Sequence, residues 1–161
     1  IKEALKIIMS GDEKMLNTFI QDFRKDFMKM TPEEIAYPRS VNGLRKWTDD
    51  ANLFKKGAPI HVKGAILYNH LVNKNKIGKK YPYILEGDKI KFLHLRIPNK
   101  YQSTAITFIT KLPKELDFHS IIDYDIQYEK SFVEPLKFIT DKIQWNIDKS
   151  YGTQGNLMDF L

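Results

Sequence analysis

The sequence predicts an α+β fold that is mostly helical and carries a small antiparallel β-sheet. Its 161 residues are 42% hydrophobic, which suits one domain with a buried core. Several stretches place apolar residues at the spacing of a helix face. Residues 89–97 instead alternate polar and apolar side chains, as a half-buried strand does, and 105–110 form the predicted antiparallel partner of that strand.

The predicted helices follow from this periodicity and from residues that start or stop a helix. Asp12 is expected to cap the second helix, and Thr31 followed by Pro32 starts a short third one. Pro135 lies inside the last helical stretch and predicts a kink or a break there, near 132–134. The longer helical stretches cover residues 2–9, 12–30, 60–73 and 123–145.

The composition excludes several classes of protein. The absence of cysteine excludes a disulfide scaffold, a thiolate metal site and a cysteine nucleophile. No apolar run approaches the roughly 20 residues of a membrane helix, so no membrane partner is expected. The chain begins with Ile1 and has no signal-peptide pattern. We therefore expect a piece of a longer protein that is not secreted.

The positive charge is concentrated in the middle third of the chain. Residues 51–110 hold 11 Lys or Arg against 2 Asp or Glu, a net charge of +9, although the whole chain carries only +6. DNA, RNA or an anionic lipid surface would each satisfy this charge alone. We interpret the segment as a nucleic-acid-binding surface in preference to a merely solvated, lysine-rich one.

Familiar catalytic motifs are missing from the sequence, which has no P-loop, no His-Glu-x-x-His and no Gly-x-Ser-x-Gly. Asp123 and Asp125 form a close carboxylate pair that could hold Mg²⁺, but carboxylates at a helix start are also favoured by the helix dipole, and we prefer that interpretation. The chain alone is therefore predicted to be a binding module without metal or cofactor. The four histidines lack the spacing of metal ligands: His61, His70, His94 and His119.

Three strings carry a resemblance to a known family. Residues 55–62 read Lys-Lys-Gly-Ala-Pro-Ile-His-Val, residues 87–92 read Gly-Asp-Lys-Ile-Lys-Phe, and residues 123–136 read Asp-Tyr-Asp-Ile-Gln-Tyr-Glu-Lys-Ser-Phe-Val-Glu-Pro-Leu. With most of the remaining chain, they resemble the carboxy-terminal thumb of the replicative family B DNA polymerases of T-even-like phages. No segment resembles the Asp-Thr-Asp motif of the palm or the nucleotide-binding motif of the fingers.

The resemblance implies a thumb domain over residues 1–149, with 1–31 as a helical lead-in from the palm side. In that family the thumb grips the duplex behind the primer terminus through its phosphate backbone. The catalytic aspartates and their Mg²⁺ belong to the palm, so this chain alone would not polymerise. The implied partners are primer–template DNA and the palm, fingers and exonuclease domains. The implied location is the cytoplasm of the infected bacterial host.

The resemblance also indicates which residues contact phosphate. They lie in loops and at the start of the helix over 60–73, where free N–H groups and the positive end of the helix dipole favour an anion. The predicted contacts are Arg39, Ser40, Lys55, Lys56, Gly57, His61 and Lys63, with Lys79, Lys80, Lys89 and Lys91 as a second group.

The sequence agrees with two origins of the chain. It is either a fragment cut from a polymerase or a subunit of a naturally split polymerase.

The chain ends in a pattern typical of a sliding-clamp-binding peptide, formed by Gln154, Leu157, Phe160 and Leu161. Its spacing closes into about two turns of 3₁₀ helix with Leu157 and Phe160 on one side, ready for a hydrophobic pocket. We predict residues 150–161 to be a flexible tail that binds a phage sliding clamp. In the alternative interpretation the tail folds back on the core of its own domain.

The function predicted from the sequence is duplex grip and clamp tethering for processive DNA replication. A first alternative is a stand-alone nucleic-acid-binding adaptor that recruits a clamp. A second alternative is a small metal-dependent enzyme that uses Asp123 and Asp125.

Overall fold

The computed structural model describes residues 1–147 and confirms the α+β fold, with many helices and a small antiparallel sheet. The chain forms two compact units. Among the described residues, one combines Ile1–Met30 with Tyr128–Ile147, and the other is Thr31–Gln127. No helix among the described residues is long and apolar enough to cross a membrane.

The helices agree closely with the periodicity of the sequence. Asp12 caps the second helix, because its carboxylate accepts the N–H of Met15 at 2.8 Å. Thr31 and Glu34 form a reciprocal capping box around the third. The α-helices are α1 (Lys2–Ser10), α2 (Glu13–Phe27), α3 (Pro32–Ile35), α4 (Leu44–Trp47), α5 (Ile60–Lys74), α6 (Tyr124–Tyr128) and α7 (Glu134–Thr140).

The break predicted at Pro135 takes the form of a π-helix. Residues Glu129–Val133 form this wider turn between α6 and α7, and Pro135 lies in the first turn of α7. Proline lacks an N–H and its ring crowds the preceding turn, so the regular hydrogen-bond ladder cannot run through it. A π turn absorbs that mismatch without ending the helical path.

The strands form one three-stranded and one two-stranded sheet, with β4 at the centre of the larger one, in the order β1-β4-β5. All the strand pairs are antiparallel. β1 was not predicted from the sequence, and β4 ends at His94, earlier than the predicted 97. The strands are β1 (Tyr37–Ser40), β2 (Thr48–Asp49), β3 (Leu53–Phe54), β4 (Lys89–His94) and β5 (Ala105–Phe108).

The unit that contains α1 and α2 has an aromatic core. The rings of Phe23 and Phe132 lie 4.9 Å apart edge to face, and those of Phe27 and Tyr128 lie 5.0 Å apart. The Tyr128 hydroxyl is fully buried and donates to the backbone oxygen of Ile20 at 2.6 Å. Such a partner is what a buried phenol requires, since an unpaired hydroxyl in this core would be costly.

The other unit is built on helix α5, which packs against the three-stranded sheet. The helix buries the face that its periodicity predicts, including Val62, Ala65 and Val72. Gly64 marks the closest approach, because a Cβ there would lie 2.8 Å from Cγ2 of Thr107 and 3.0 Å from the backbone of Ile106. The absence of a side chain at Gly64 therefore lets helix and strand touch, and this contact places the first turns of α5 beside the sheet.

Gln127 fixes the edge of the same sheet from α6. Its buried amide donates to the backbone oxygens of Ile35 and Phe92, at 2.9 and 3.3 Å, and accepts the N–H of His94 at 2.9 Å. Phe92 is the last residue of β4 that pairs with β1, opposite Tyr37, and His94 lies two residues beyond it. The side chain thus gives the N–H of His94 a partner beyond the last residue of β4 that pairs with β1.

The Gly64 contact predicts a specific loss of stability. Gly64→Ala should lower the free energy of unfolding by about 1–3 kcal/mol, because the new methyl group overpacks the backbone of β5. An unconstrained Gly→Ala change in a helix would instead stabilise by roughly 0.5–1 kcal/mol, so the sign is diagnostic. Urea denaturation followed by circular dichroism measures it. His70→Ala, on the exposed part of α5, is the control and should have little effect; a stabilised Gly64→Ala chain would contradict the contact.

Candidate nucleic-acid interface

Strands β1 and β4 bring four of the predicted contact residues together. Ser40 pairs with Lys89, Pro38 with Lys91, and Arg39 with Ile90. Because side chains alternate along a strand, Ser40, Lys89 and Lys91 share one face, whereas Arg39 shares the other with Ile90. All four predicted residues are exposed. The sheet thus divides the predicted set between its two faces.

Arg39 lies beside His61, from the first turn of α5. The guanidinium carbon of Arg39 is 4.8 Å from the centre of the Tyr37 ring, and the ring of His61 is 6.3 Å from that of Phe92. Burial against the sheet, with the Arg39 charge second, holds the pKa of His61 below its ordinary value, while a hydrogen bond to the Ser40 backbone acts in the opposite direction. The neutral form of the imidazole is therefore favoured.

The loop before α5 adds further positive charge at the same end of the helix. Lys55, Lys56 and Gly57 directly follow β3 and are exposed. Nζ of Lys63 lies 5.5 Å from the centre of the Phe54 ring, which orients this lysine from α5 toward the loop. Gly57 has φ +86°, a conformation that favours glycine in this turn. We call Arg39, Lys55, Lys56, His61 and Lys63 the basic end of α5.

The helix start itself reinforces this field. Pro59 precedes α5 and supplies no side-chain cap, and the first turn contains no acidic residue. The uncapped N–H groups therefore add partial positive charge to that of the side chains.

The acidic residues nearest in sequence bind backbone groups. Glu86 accepts the N–H groups of Gly43 and Leu44 at the start of α4. Asp88 accepts the N–H of Leu85 at 2.8 Å. Asp49 accepts the N–H of Ala51 at 2.8 Å; this bond lowers the pKa of its carboxyl, and Lys55 contributes in the same direction. Within residues 1–147, no carboxylate forms an ion pair with a lysine or arginine of the basic end of α5.

Lys79 and Lys80 lie beyond the opposite end of α5, which spans about 22 Å at 1.5 Å per residue. Nζ of Lys80 is 2.6 Å from Glu115, whose carboxylate also accepts the Tyr81 hydroxyl at 2.7 Å. The structure therefore separates these two lysines from the basic end of α5. It also gives Lys80 a carboxylate partner that the sequence pattern did not reveal. Lys80 also lines a cleft of about 450 Å³, together with Tyr68, Lys111 and Lys114.

Aromatic residues at the interface were also missed by the sequence analysis. Tyr37 and Phe54 each lie under a cation, and Trp47 does so with Lys46, whose Nζ is 4.8 Å from the ring centre. The alternation of basic and aromatic residues over 37–56 is the signal that could have found them. Rings of this kind hold long cationic side chains in place while leaving their charge at the surface.

The described residues contain no group of three or more His, Asp or Glu side chains that could hold a metal ion. Oδ1 of Asp123 accepts the N–H of Ile126 at 3.0 Å, so Asp123 caps the start of α6, as the helix-start interpretation requires. The predicted clamp-binding residues, Gln154, Leu157, Phe160 and Leu161, lie outside the described residues.

Comparison with known proteins shows similarity to two phage enzymes. The chain is 29% identical over 140 residues to a DNA-directed DNA polymerase of Enterobacteria phage T4, which covers 84% of this chain and 15% of that protein. It is 28% identical over 154 residues to a DNA-directed DNA polymerase of Escherichia phage RB69, covering 92% of this chain and 16% of that protein. No family model matches. The chain is thus related to phage DNA polymerases and spans about a sixth of their length.

The geometry around Glu115 predicts its titration. Hydrogen bonds from Lys80 and then Tyr81 lower the pKa of this carboxyl to about 2. Since the folded pKa is depressed, the pair contributes stability above the ordinary pKa of glutamate, and that contribution is lost as the pH falls toward 2. A carbon-detected NMR titration should find this low midpoint, and Lys80→Ala should raise it. Lys111→Ala, which removes a charge from the same cleft, is the control; an ordinary midpoint in the unaltered chain would contradict the pair.

Proposed function

We propose that this chain is the thumb part of a phage replicative family B DNA polymerase and that it grips the primer–template duplex. The similarity to two phage DNA polymerases over most of the chain supports the parent enzyme. The observation that carries the grip is the basic end of α5, where Arg39 of β1 lies beside His61 and Lys63 lies over Phe54, next to the loop of Lys55 and Lys56. The proposal includes both a cut domain and a subunit of a split enzyme.

The chemistry of this surface suits phosphate rather than bases. Exposed lysines supply charge without fixed geometry, and backbone contacts of this kind carry no sequence information. Arg39, which lies against the Tyr37 ring, offers a more rigid fork for a phosphate oxygen. Lys89 and Lys91, on the opposite face of the sheet from Arg39, would serve a separate part of the duplex or none.

In this proposal the remaining polymerase domains are the partners of the chain. They would carry the nucleotidyl-transfer residues and their Mg²⁺, in the cytoplasm of the infected bacterium. The contribution of this chain is then to hold the product duplex in place. Ionic contacts that ignore sequence suit that task, because the enzyme must advance along any template.

We also propose that Gln154, Leu157, Phe160 and Leu161 bind a phage sliding clamp. The support is the spacing of these residues and their position after the domain. Even a weak peptide contact would raise the effective concentration of the polymerase at the primer end, which is how a tether increases processivity.

The phosphate grip predicts a change in salt dependence. Lys55→Ala together with Lys56→Ala should weaken duplex binding equally for all sequences. If both lysines contact phosphate, the slope of log K against log salt should fall by about 1.8, at about 0.9 for each contact. Fluorescence anisotropy with a labelled primer–template duplex measures both quantities.

The matched control is Lys25→Ala with Lys29→Ala, which makes the same change in net charge at exposed positions at the end of α2. This control should keep the slope of the unaltered chain. An unchanged slope in the Lys55 and Lys56 variant would refute their contact with phosphate. Sequence-dependent weakening would point to base recognition in place of backbone grip.

The tail predicts a separable loss. Deletion of residues 154–161 should abolish binding to a phage sliding clamp while leaving duplex affinity and the melting temperature unchanged. Surface plasmon resonance with immobilised clamp and a thermal melt of both chains provide the two readouts. Leu157→Ala with Phe160→Ala should reproduce the deletion. A lowered melting temperature would favour a tail that packs on its own domain.

A further inference from the structure

His61 differs from the other predicted contacts, because it is the one that can gain a charge near neutral pH. Its ring is half-buried at the start of α5, against Phe92 of β4. It is close enough to β1 to interact with the Arg39 charge and to hydrogen-bond with the Ser40 backbone. An ionisable ring thus lies inside the surface that is proposed to meet phosphate.

The charged side chain that acts on His61 in the free protein disfavours protonation of the ring. Arg39 faces it from β1, and the first turn of α5 adds the positive end of the helix dipole. Lys63, on the same helix, and Lys55 and Lys56, in the preceding loop, are also positive. From β4, His94 follows Phe92 on the same face of the strand, and its ring is 5.5 Å from that of Phe92.

The acidic side chains near β1 bind backbone groups. Glu86 and Asp88 come directly before β4 and accept backbone N–H groups. No acidic side chain contributes to the electrostatic environment of His61. The imidazole is therefore without a counter-ion among the described residues. A phosphate group that binds beside Arg39 would supply one.

We propose that His61 takes up a proton when a phosphate of the duplex binds beside Arg39, so that the grip on DNA tightens as the pH falls. This inference rests on the proposed function and couples DNA binding to proton uptake by His61. The phosphate cancels the repulsion from Arg39 and accepts a charge-assisted hydrogen bond from the imidazolium. Because binding and protonation are linked, each must favour the other by the same factor.

The sign of the pH dependence follows from the two protonation states. In the free protein the pKa of His61 is lowered, mainly by burial and then by Arg39, which favours the neutral ring. In the complex the phosphate raises the pKa. At pH values between the pKa of His61 in the free protein and its pKa in the complex, the protein takes up one proton when it binds DNA. The affinity for DNA can then rise up to about tenfold for each unit by which the pH falls.

The test is a series of duplex-binding curves between pH 5.5 and 8.5 at constant ionic strength, measured by fluorescence anisotropy. The unaltered chain should bind several-fold more tightly at pH 6 than at pH 7.5. His61→Gln, which keeps hydrogen-bonding groups and cannot gain a charge, should lose this dependence. His70→Gln is the matched control, since His70 is exposed on a later turn of the same helix, and it should keep the dependence.

A second measurement uses the unaltered chain alone. NMR titration of the His61 ring, with and without a short duplex, should show a higher midpoint in the complex. It tests the proposal even if His61→Gln fails to fold.

The outcomes separate the inference from the function on which it rests. Salt-dependent binding with the same affinity at all pH values would overturn the inference and leave the proposed grip standing. An unshifted His61 midpoint in the complex, or full pH dependence in His61→Gln, would overturn the assignment to this residue. Absence of duplex binding at any pH in low salt would overturn both the inference and the proposed grip.

Discussion

The close contact between Gly64 and strand β5 sets the position of the whole candidate interface. Since no side chain separates them, α5 lies directly on the backbone of Ile106 and Thr107. One turn earlier in the helix, this brings His61 against Phe92 of β4 and within the field of Arg39. A bulkier residue would lift the start of the helix and separate these groups. The packing of the α5 backbone on β5 thus determines where the side chains of the basic end of α5 lie.

The three-stranded sheet under α5 is stabilised in part by a side chain that lies outside its strands. β1 is an edge strand of four residues, a place where Pro38 is tolerated because its missing N–H removes no essential pairing. Beside the first residue of β1, which pairs with Phe92, the amide of Gln127 binds the backbone of Phe92 and His94 in β4. The strand that carries Arg39 therefore depends on a contact made 35 residues beyond Phe92 along the chain.

The same distinction explains what could be predicted from the sequence. Helix α5 was predictable because Val62, Ala65 and Val72 repeat at helical spacing, and the caps at Asp12 and Thr31 act locally. β1 and the pairing of Lys80 with Glu115 were not predictable, because each depends on a partner distant in sequence. The basic segment over residues 51–110 was visible from its amino-acid composition alone. Its division between two ends of a helix and two faces of a sheet required the fold.

The carboxylates around α5 have two different kinds of partner, a lysine side chain in one case and backbone N–H groups in the others. At the far end, Glu115 neutralises Lys80 directly. By contrast, Asp49 accepts a backbone N–H in the turn between β2 and β3, which precedes Lys55 and Lys56, and Glu86 and Asp88 accept backbone N–H groups before β4. An acid that caps a turn organises the surface without cancelling the charge of an exposed lysine beside it, since such pairs are weak in water. The near end therefore combines defined loops with uncompensated positive charge, which is what binding a phosphate backbone requires.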